Sequence, residues 1–253
     1  MNPKVTGCIV TYNNMKTIKK AVDTILEYTD ENFRLYVVDN NSTDGTPKFI
    51  RENYPEVCVI ETGTNSGFGA GHNIVLPMLS SEYHIVINPD IVINENAIEK
   101  IIDFMDANPD IGLLSPKICF PDGREQILGK RNPRLKYLIA SRMRDENNPS
   151  KLLREYAMKD CDLSDVTDIE NTTGCFMVFR TSVFKELKGF DEGYFMYFED
   201  ADIARRAKKI SRVVYYPHAT ILHEWGRESK RNFKLMLIHI QSMFRYFFKW
   251  KTI

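Results

Sequence analysis

The segment Gly193-Tyr194-Phe195-Met196-Tyr197-Phe198-Glu199-Asp200-Ala201-Asp202 delivers three acids within four residues, directly after an aromatic run. Apolar neighbours exclude water, and a desolvated carboxylate gains affinity for a proton. Glu199 and Asp200 therefore have the surroundings of a general base. A helix N-terminus explains the same acids, as caps for exposed N–H groups at the positive end of the dipole. Asp202 falls four residues before Arg206, the spacing of an ion pair on one helix face. Other acids lie elsewhere in the chain. Asp39 and Asp44 frame the turn Asp39-Asn40-Asn41-Ser42-Thr43-Asp44-Gly45. Asp39 suits a ribose hydroxyl or a base N–H, and Asp44 reads as turn and cap. Asp90 closes Asn88-Pro89-Asp90 and suits a hard divalent cation, for which one or two carboxylates plus phosphate oxygens suffice. A turn acid after Pro89 is the plainer reading. His223 follows the strand-like run Tyr215–Leu222; a lone histidine is more often structural, and this one becomes a candidate second metal ligand if the fold brings it near Asp90.

Alternating patterns position these residues. Strands are expected over Val5–Thr11, Arg34–Val38, Val57–Ile60, His84–Ile87 and Ile111–Leu114, with helices over Lys16–Tyr28, Thr46–Asn53, Ala70–Leu79 and Glu95–Ala107. Repeated β-α-β units imply an α/β fold with a mostly parallel sheet covered by helices. Ligands bind such sheets outside the carboxyl ends of the strands. Thr11-Tyr12-Asn13-Asn14, the Asp39 turn, Glu61–Gly71 and Asn88-Pro89-Asp90 all fall there. Gly67-Phe68-Gly69-Ala70-Gly71 approaches a dinucleotide fingerprint but has His72 where the third glycine belongs. It reads as a turn that lets backbone approach a nucleotide, or as a packing turn. From Gly129 to Asp168 periodicity is weak, which predicts short helices and loops. Further on, Ile169–Phe179 is apolar, Thr181–Leu187 and Asp200–Ile210 read as helices, and Val213–Tyr216 as a strand.

With 253 residues and 43% hydrophobic content the chain can build a large core. Its 34 basic and 34 acidic residues balance, which argues against nucleic acid as a partner. Five cysteines without CxxC spacing argue against a disulfide framework or zinc and fit a reducing cytosol; Cys8 and Cys58 read as small hydrophobes in strands. No signal peptide and no membrane-spanning run is expected. The tail is different. From Gly226 to Ile253 it carries Arg227, Lys230, Arg231, Lys234, Arg245, Lys249 and Lys251 against the single acid Glu228, with six aromatics between Phe233 and Trp250. A basic, aromatic helix over Ser229–Lys249 can lie on an anionic membrane or pack on the domain.

The ordered set Val10-Thr11-Tyr12-Asn13, Val37–Asp44, Asn65–Asn73, Asn88-Pro89-Asp90, Thr173-Gly174-Cys175, Gly189–Glu192 and Phe195–Asp202 resembles the family-2 glycosyltransferases of GT-A fold, especially a bacterial rhamnosyltransferase-like branch. The match spans roughly residues 5–230. The resemblance implies one GT-A domain over 1–228, with a nucleotide-sugar half (1–115), an acceptor half (116–228) and a helical tail (229–253). It implies an inverting transfer from a nucleotide-diphosphate-sugar, dTDP-L-rhamnose or a UDP-hexose, to a hydroxyl of a glycan or lipid-linked glycan. Thr11, Tyr12, Asn13, Asp39 and Asn41 would hold the nucleoside, and Asn65, Gly67, Phe68, Asn73 and Asn88 would line nucleotide and sugar. Asp90 and His223 would hold Mg²⁺ or Mn²⁺, although the family's D-x-D motif here begins with Asn88. Asp200 would be the base and Glu199 its helper, or the reverse. The expected setting is the cytoplasm, including peripheral contact with its membrane. Two rivals are a non-catalytic nucleotide-sugar-binding protein and a nucleotidyltransferase. The first is disfavoured by the joint presence of Glu199, Asp200, Asp90 and His223. The second would carry a glycine-rich basic loop after the first strand, which Thr11–Met15 is not.

Overall fold

The computed structural model describes residues 2–143, 148–224 and 233–252. The expected tail residues Arg227, Glu228, Lys230 and Arg231, and the first turn of the expected tail helix, lie outside the described residues. The first half builds as its pattern dictates. Strand β1 (Val5–Thr11) leads to helix α1 (Met15–Glu27), then β2 (Phe33–Asp39), α2 (Thr46–Asn53) and β3 (Cys58–Glu61). Helix α1 buries Ile18, Ala21, Val22 and Ile25, one stripe at helical spacing. Helix α2 has Pro47 in its first turn, where the missing N–H costs nothing.

Helix α3 covers only Phe68–Asn73 and is followed by a 3-10 turn at Leu76–Met78. The expected continuous helix to Leu79 is broken because Pro77 cannot donate the next helical bond. Next come β4 (Tyr83–Ile87), a two-residue β5 (Ile91–Val92), α4 (Ala97–Ala107) and β6 (Ile111–Cys119). Helix α4 starts two residues later than expected; the Glu95 side chain instead accepts from the Thr220 N–H at 2.7 Å. The weakly periodic middle contains α5 (Leu135–Arg142), α6 (Lys151–Tyr156) and β7 (Thr167–Asp168). Then follow β8 (Phe176–Arg180), α7 (Thr181–Glu186), α8 (Glu199–Ala207), β9 (Arg212–His223) and α9 (Phe233–Trp250).

The nine strands of the described residues form one sheet, in the order β3-β2-β1-β4-β8-β6-β9-β5 with β7 on β9. The first four are parallel, as β-α-β repeats require. Strand β8 runs antiparallel to both β4 and β6, so within the expected mostly parallel sheet the parallel pairs are those of its first half and β6–β9. The expected division at 115/116 falls inside β6, and the two halves share a single sheet. Alternate residues of each strand enter opposite cores. Ile9, Val37, Ile85 and Ile87 pack under α1 and α4, and Cys8, Val10, Val38 and Val86 pack with Phe184, Ile203 and Ala204 of α7 and α8. Cys58 is exposed, contrary to its reading as a buried hydrophobe, because β3 is the sheet edge.

Candidate active site

The carboxyl ends of β1 and β2 are built from side chains that hold their own turns. Asp39 is fully buried; its Oδ1 accepts from Thr11 Oγ1 at 2.9 Å and its Oδ2 from the Ser42 N–H at 2.8 Å. Thr11 is buried as well. Both residues were expected to touch a nucleoside; in this conformation they shape the turn that would. Asn13 adopts a left-handed conformation, accepts from the Thr43 N–H at 2.8 Å and donates through its own N–H to Ser42 Oγ. Tyr12 and Asn41 are left on the outside, and Tyr12 is half exposed. Asp44 caps as expected, accepting from the N–H groups of Met15 and Thr46. Burial pushes its carboxyl up, but the Thr46 and Met15 hydrogen bonds prevail and hold it below the usual range.

The glycine-rich loop is a packing device. Gly67 has φ +93°, and a Cβ there would collide with the carbonyl of Phe195. Phe68 donates its N–H to that same carbonyl at 2.9 Å. Gly69 lies against Phe190 and Gly71 against Val10, each too close for a side chain. Asn65 and Asn40 fasten the loop by accepting from the Gly67 N–H and donating to its C=O. Phe68 turns inward onto His72 and Phe190. Asn73, expected to line the donor, has its amide committed to the Phe190 backbone in both directions and to Glu192. It joins the loop to the Gly189–Glu192 turn.

Asn88 donates its N–H to the Cys175 carbonyl, bringing Thr173-Gly174-Cys175 against the end of β4. Two residues on, β5 pairs with β9 in the register Ile91↔His223. That register sets His223 beside Asp90, with Nε2 3.3 Å from Oδ1. The His223 Nδ1 lies 3.1 Å from Gln126 Oε1, and the Gln126 amide donates to the His223 carbonyl at 2.8 Å. An Nδ1–H donated to Gln126 leaves Nε2 as the ligand atom toward Asp90, the usual way an outer partner fixes a metal-binding imidazole. Asp90 Oδ1 is buried and has no hydrogen-bond partner. An orphaned carboxylate oxygen facing an oriented imidazole fits a divalent ion. No group of three or more His, Cys, Asp or Glu is arranged to hold a metal ion among the described residues, so the remaining ligands would come from phosphate and water.

The acidic corner is presented by strained backbone. Tyr197 and Phe198 both adopt left-handed conformations, with φ +69° and +67°. Such a pair persists only where the surroundings over-determine it. Phe198 is gripped by Tyr246, Phe247 and His239 of α9, and Ser242 donates to the Met196 carbonyl at 2.8 Å. Helix α8 begins at once with Glu199 and Asp200. Asp200 is partly accessible; its Oδ2 accepts from the Gly174 N–H at 3.0 Å and its Oδ1 from the Ala201 N–H at 2.7 Å. Burial raises its carboxyl, and those hydrogen bonds pull back without cancelling the rise. Glu199 is buried, its Oε2 has no partner, and burial and the Asp200 charge push it far up. Asp200 is thus the oriented, reachable carboxylate, and Glu199 the more deeply buried neighbour whose carboxyl is pushed well up. The buried Cys175 thiol is raised first by burial and then by both Asp90 and Asp200, which places it beside the two acid sites. Asp202 makes the expected pair with Arg206 at 2.8 Å and also accepts from Trp250 and Lys249 of α9.

Gln126 was missed because a lone glutamine in an irregular stretch carries no spacing signal. Gly174 lay within a recognised motif, but its link to Asp200 depends on the long-range pairing of β4 with β8.

A mixed sheet with amide-rich turns at its parallel strand ends, a carboxylate–imidazole pair and an acid held at a helix start make up a GT-A fold. Residues 7–188 match the model of glycosyl transferase family 2, and the chain belongs to that family, in a rhamnosyltransferase-like branch. It is 27% identical over 239 residues to the N-acetylglucosaminyl-diphospho-decaprenol L-rhamnosyltransferase of Mycobacterium tuberculosis, covering 88% of this chain and 76% of that one. It is 28% identical over 251 residues to the rhamnosyltransferase WbbL of Escherichia coli, covering 94% and 90%. Among solved structures it is similar to the mannosyltransferase PcManGT of Pyrobaculum calidifontis in complex with GDP-Man and Mn²⁺, with TM-score 0.63 and 19% identity. That alignment covers 97% of this chain and 65% of the other, so the chain spans about two thirds of that structure's length. Staphylococcus aureus TarS in complex with UDP is similar at TM-score 0.61 and 20% identity, covering 94% and 65%.

Proposed function

We propose that this chain is an inverting glycosyltransferase that moves L-rhamnose from dTDP-L-rhamnose to a hydroxyl of a lipid-linked glycan on the way to a cell-surface polysaccharide. The observation that carries the chemistry is Asp200, a reachable carboxylate fixed by the Gly174 N–H and raised above the ordinary aspartate range by burial. Asp200 takes the proton of the acceptor hydroxyl as that oxygen attacks the anomeric carbon. The nucleoside diphosphate departs from the opposite face, and configuration inverts in one displacement. Glu199, held neutral, keeps a second negative charge out of the corner. Tyr12 and Asn41, on the outside of turns organised by Thr11, Asn13 and Asp39, meet the nucleoside. Asp90 and His223 would hold Mg²⁺ or Mn²⁺, which when bound offsets charge on the leaving diphosphate.

The donor and the lipid-linked acceptor are favoured by the names of the two rhamnosyltransferase relatives. Such an acceptor would place the enzyme at the cytoplasmic face of the membrane. The test is slow donor hydrolysis across a panel of nucleotide sugars with Mg²⁺ or Mn²⁺. Saturation by dTDP-L-rhamnose with release of dTDP is expected. Saturation by a UDP-sugar with indifference to dTDP-L-rhamnose would overturn the donor assignment, and absence of any turnover, with or without an acceptor glycan, would favour a binding protein on the same fold.

A further inference from the structure

Helix α9 has two faces. The inner one grips the catalytic corner through Ser242, Tyr246 and Trp250. The outer one carries Phe233, Leu237, Ile240, Phe244 and Phe248, spaced by three or four residues and therefore in a single stripe. All five are exposed, Phe248 at 90%. Helix α5 adds a second stripe, Leu135, Ile139 and Met143, with Met143 at 81%. The two helices are neighbours. Leu138 of α5 packs into the cluster around Tyr246, and Arg142 lies near enough to His239 to add to the downward push that burial gives that imidazole. Scattered apolar residues are ordinary on a surface, but two adjoining stripes are a patch that calls for a partner.

Charge selects the partner. Neither α5 nor α9 contains an acidic residue; their exposed cations Arg142 and Lys234 join Lys230 and Arg231 of the sequence just before α9, while Lys136 pairs with Glu155 and Arg245 and Lys249 pair with Asp191. Two copies of such a face brought together would oppose like charges. An anionic bilayer would receive the apolar stripes at its acyl boundary and the basic residues among its headgroups. No helix of the described residues is long and apolar enough to cross a membrane, so the contact would lie in the plane of the interface. We propose that the outer faces of α9 and α5 form a docking surface for an anionic lipid membrane. This goes beyond the proposed reaction and does not depend on the identity of donor or acceptor.

Flotation of the full chain with phosphatidylglycerol/phosphatidylethanolamine vesicles and with pure phosphatidylcholine vesicles tests it. The protein should float with the anionic vesicles and at least tenfold less with the neutral ones. Phe244→Ser with Phe248→Ser should weaken flotation at least tenfold while the melting temperature and slow donor hydrolysis stay unchanged. Ile139→Ser with Met143→Ser gives an independent reading on α5 and should act in the same direction. Failure to float with anionic vesicles would overturn the proposal, as would unaltered flotation of both variants. A concentration-dependent dimer that the α9 variant dissociates, without vesicle binding, would assign the face to a second copy of the chain instead.

Discussion

The N–H of Gly174 donates to Oδ2 of Asp200 at 3.0 Å, joining the loop before β8 to the first turn of α8. That bond orients one carboxylate and leaves its neighbour Glu199 buried with an unpartnered oxygen. The asymmetry predicts different roles for the two acids. Asp200→Asn should lower the transfer rate by about 10²–10⁴, the usual contribution of a positioned base. Donor binding, followed by calorimetry, should be unchanged. A near-normal rate in this variant would remove Asp200 as the base.

Gln126 holds His223 from both ends of its amide. Gln126→Leu keeps the bulk and loses both hydrogen bonds. Loss of such an outer partner lowers metal affinity by about 10–100-fold. A Mn²⁺ titration in the presence of nucleoside diphosphate should show that decrease, with nucleotide affinity in chelator unaffected. Equal Mn²⁺ affinity in both proteins would separate His223 from the metal.

The raised pKa of Glu199 links stability to pH. The unfolded chain releases this proton near the ordinary glutamate value of 4.5, while the folded chain retains it to higher pH. Stability from this group is fully present below about 4.5 and declines as pH rises toward the folded pKa. Glu199→Gln carries no such proton. Denaturant unfolding from pH 4 to pH 8 should therefore show the variant gaining on the natural protein as pH rises. Parallel pH profiles would contradict a buried, neutral Glu199. His72 and His84 act with the opposite sign. Burial depresses both, His84 to about 3, so their contribution is full above about 6.5 and is lost as pH falls toward the folded value.

Gly67 combines a left-handed φ with a direct approach to the Phe195 carbonyl. Gly67→Ala must strain the backbone and open the seam between the loop and the acidic corner. A loss on the order of 2 kcal/mol or more is expected, together with a fall in transfer rate. Gly63→Ala is the control. Gly63 has φ +71° but open space around its Cβ position, so only the conformational term remains and the loss should be smaller. Equal losses would show that Phe195 yields freely.

Local pattern made much of this molecule legible. The stripe Ile18–Ile25 marked α1, the residues Thr46–Asn53 marked α2, and the four-residue spacing of Asp202 and Arg206 marked their ion pair. What escaped depends on distant pairing. The two-residue β5 has no periodicity of its own, yet its register against β9 creates the Asp90–His223 pair. Strand β9 runs from Arg212 to His223 because β6 continues beside it, so the strand expected at Val213–Tyr216 and the strand-like run Tyr215–Leu222 that leads to His223 are one element. The left-handed Tyr197 and Phe198 are β-favouring aromatics whose conformation is imposed by packing from α9. Thr11, Asp39 and Asn73 stood correctly at strand and helix ends, but their side chains were already engaged by neighbouring turns.

Helix α9 stands between the acidic corner and the outer apolar stripe, and a helix with its side chains is about 10–12 Å thick. That thickness is a ruler. Whatever the stripe rests on, a hydroxyl that reaches Asp200 must stand at about that elevation above it. Acceptors would then be sorted by the height of their reacting group, a property set by how many units already separate it from its anchor.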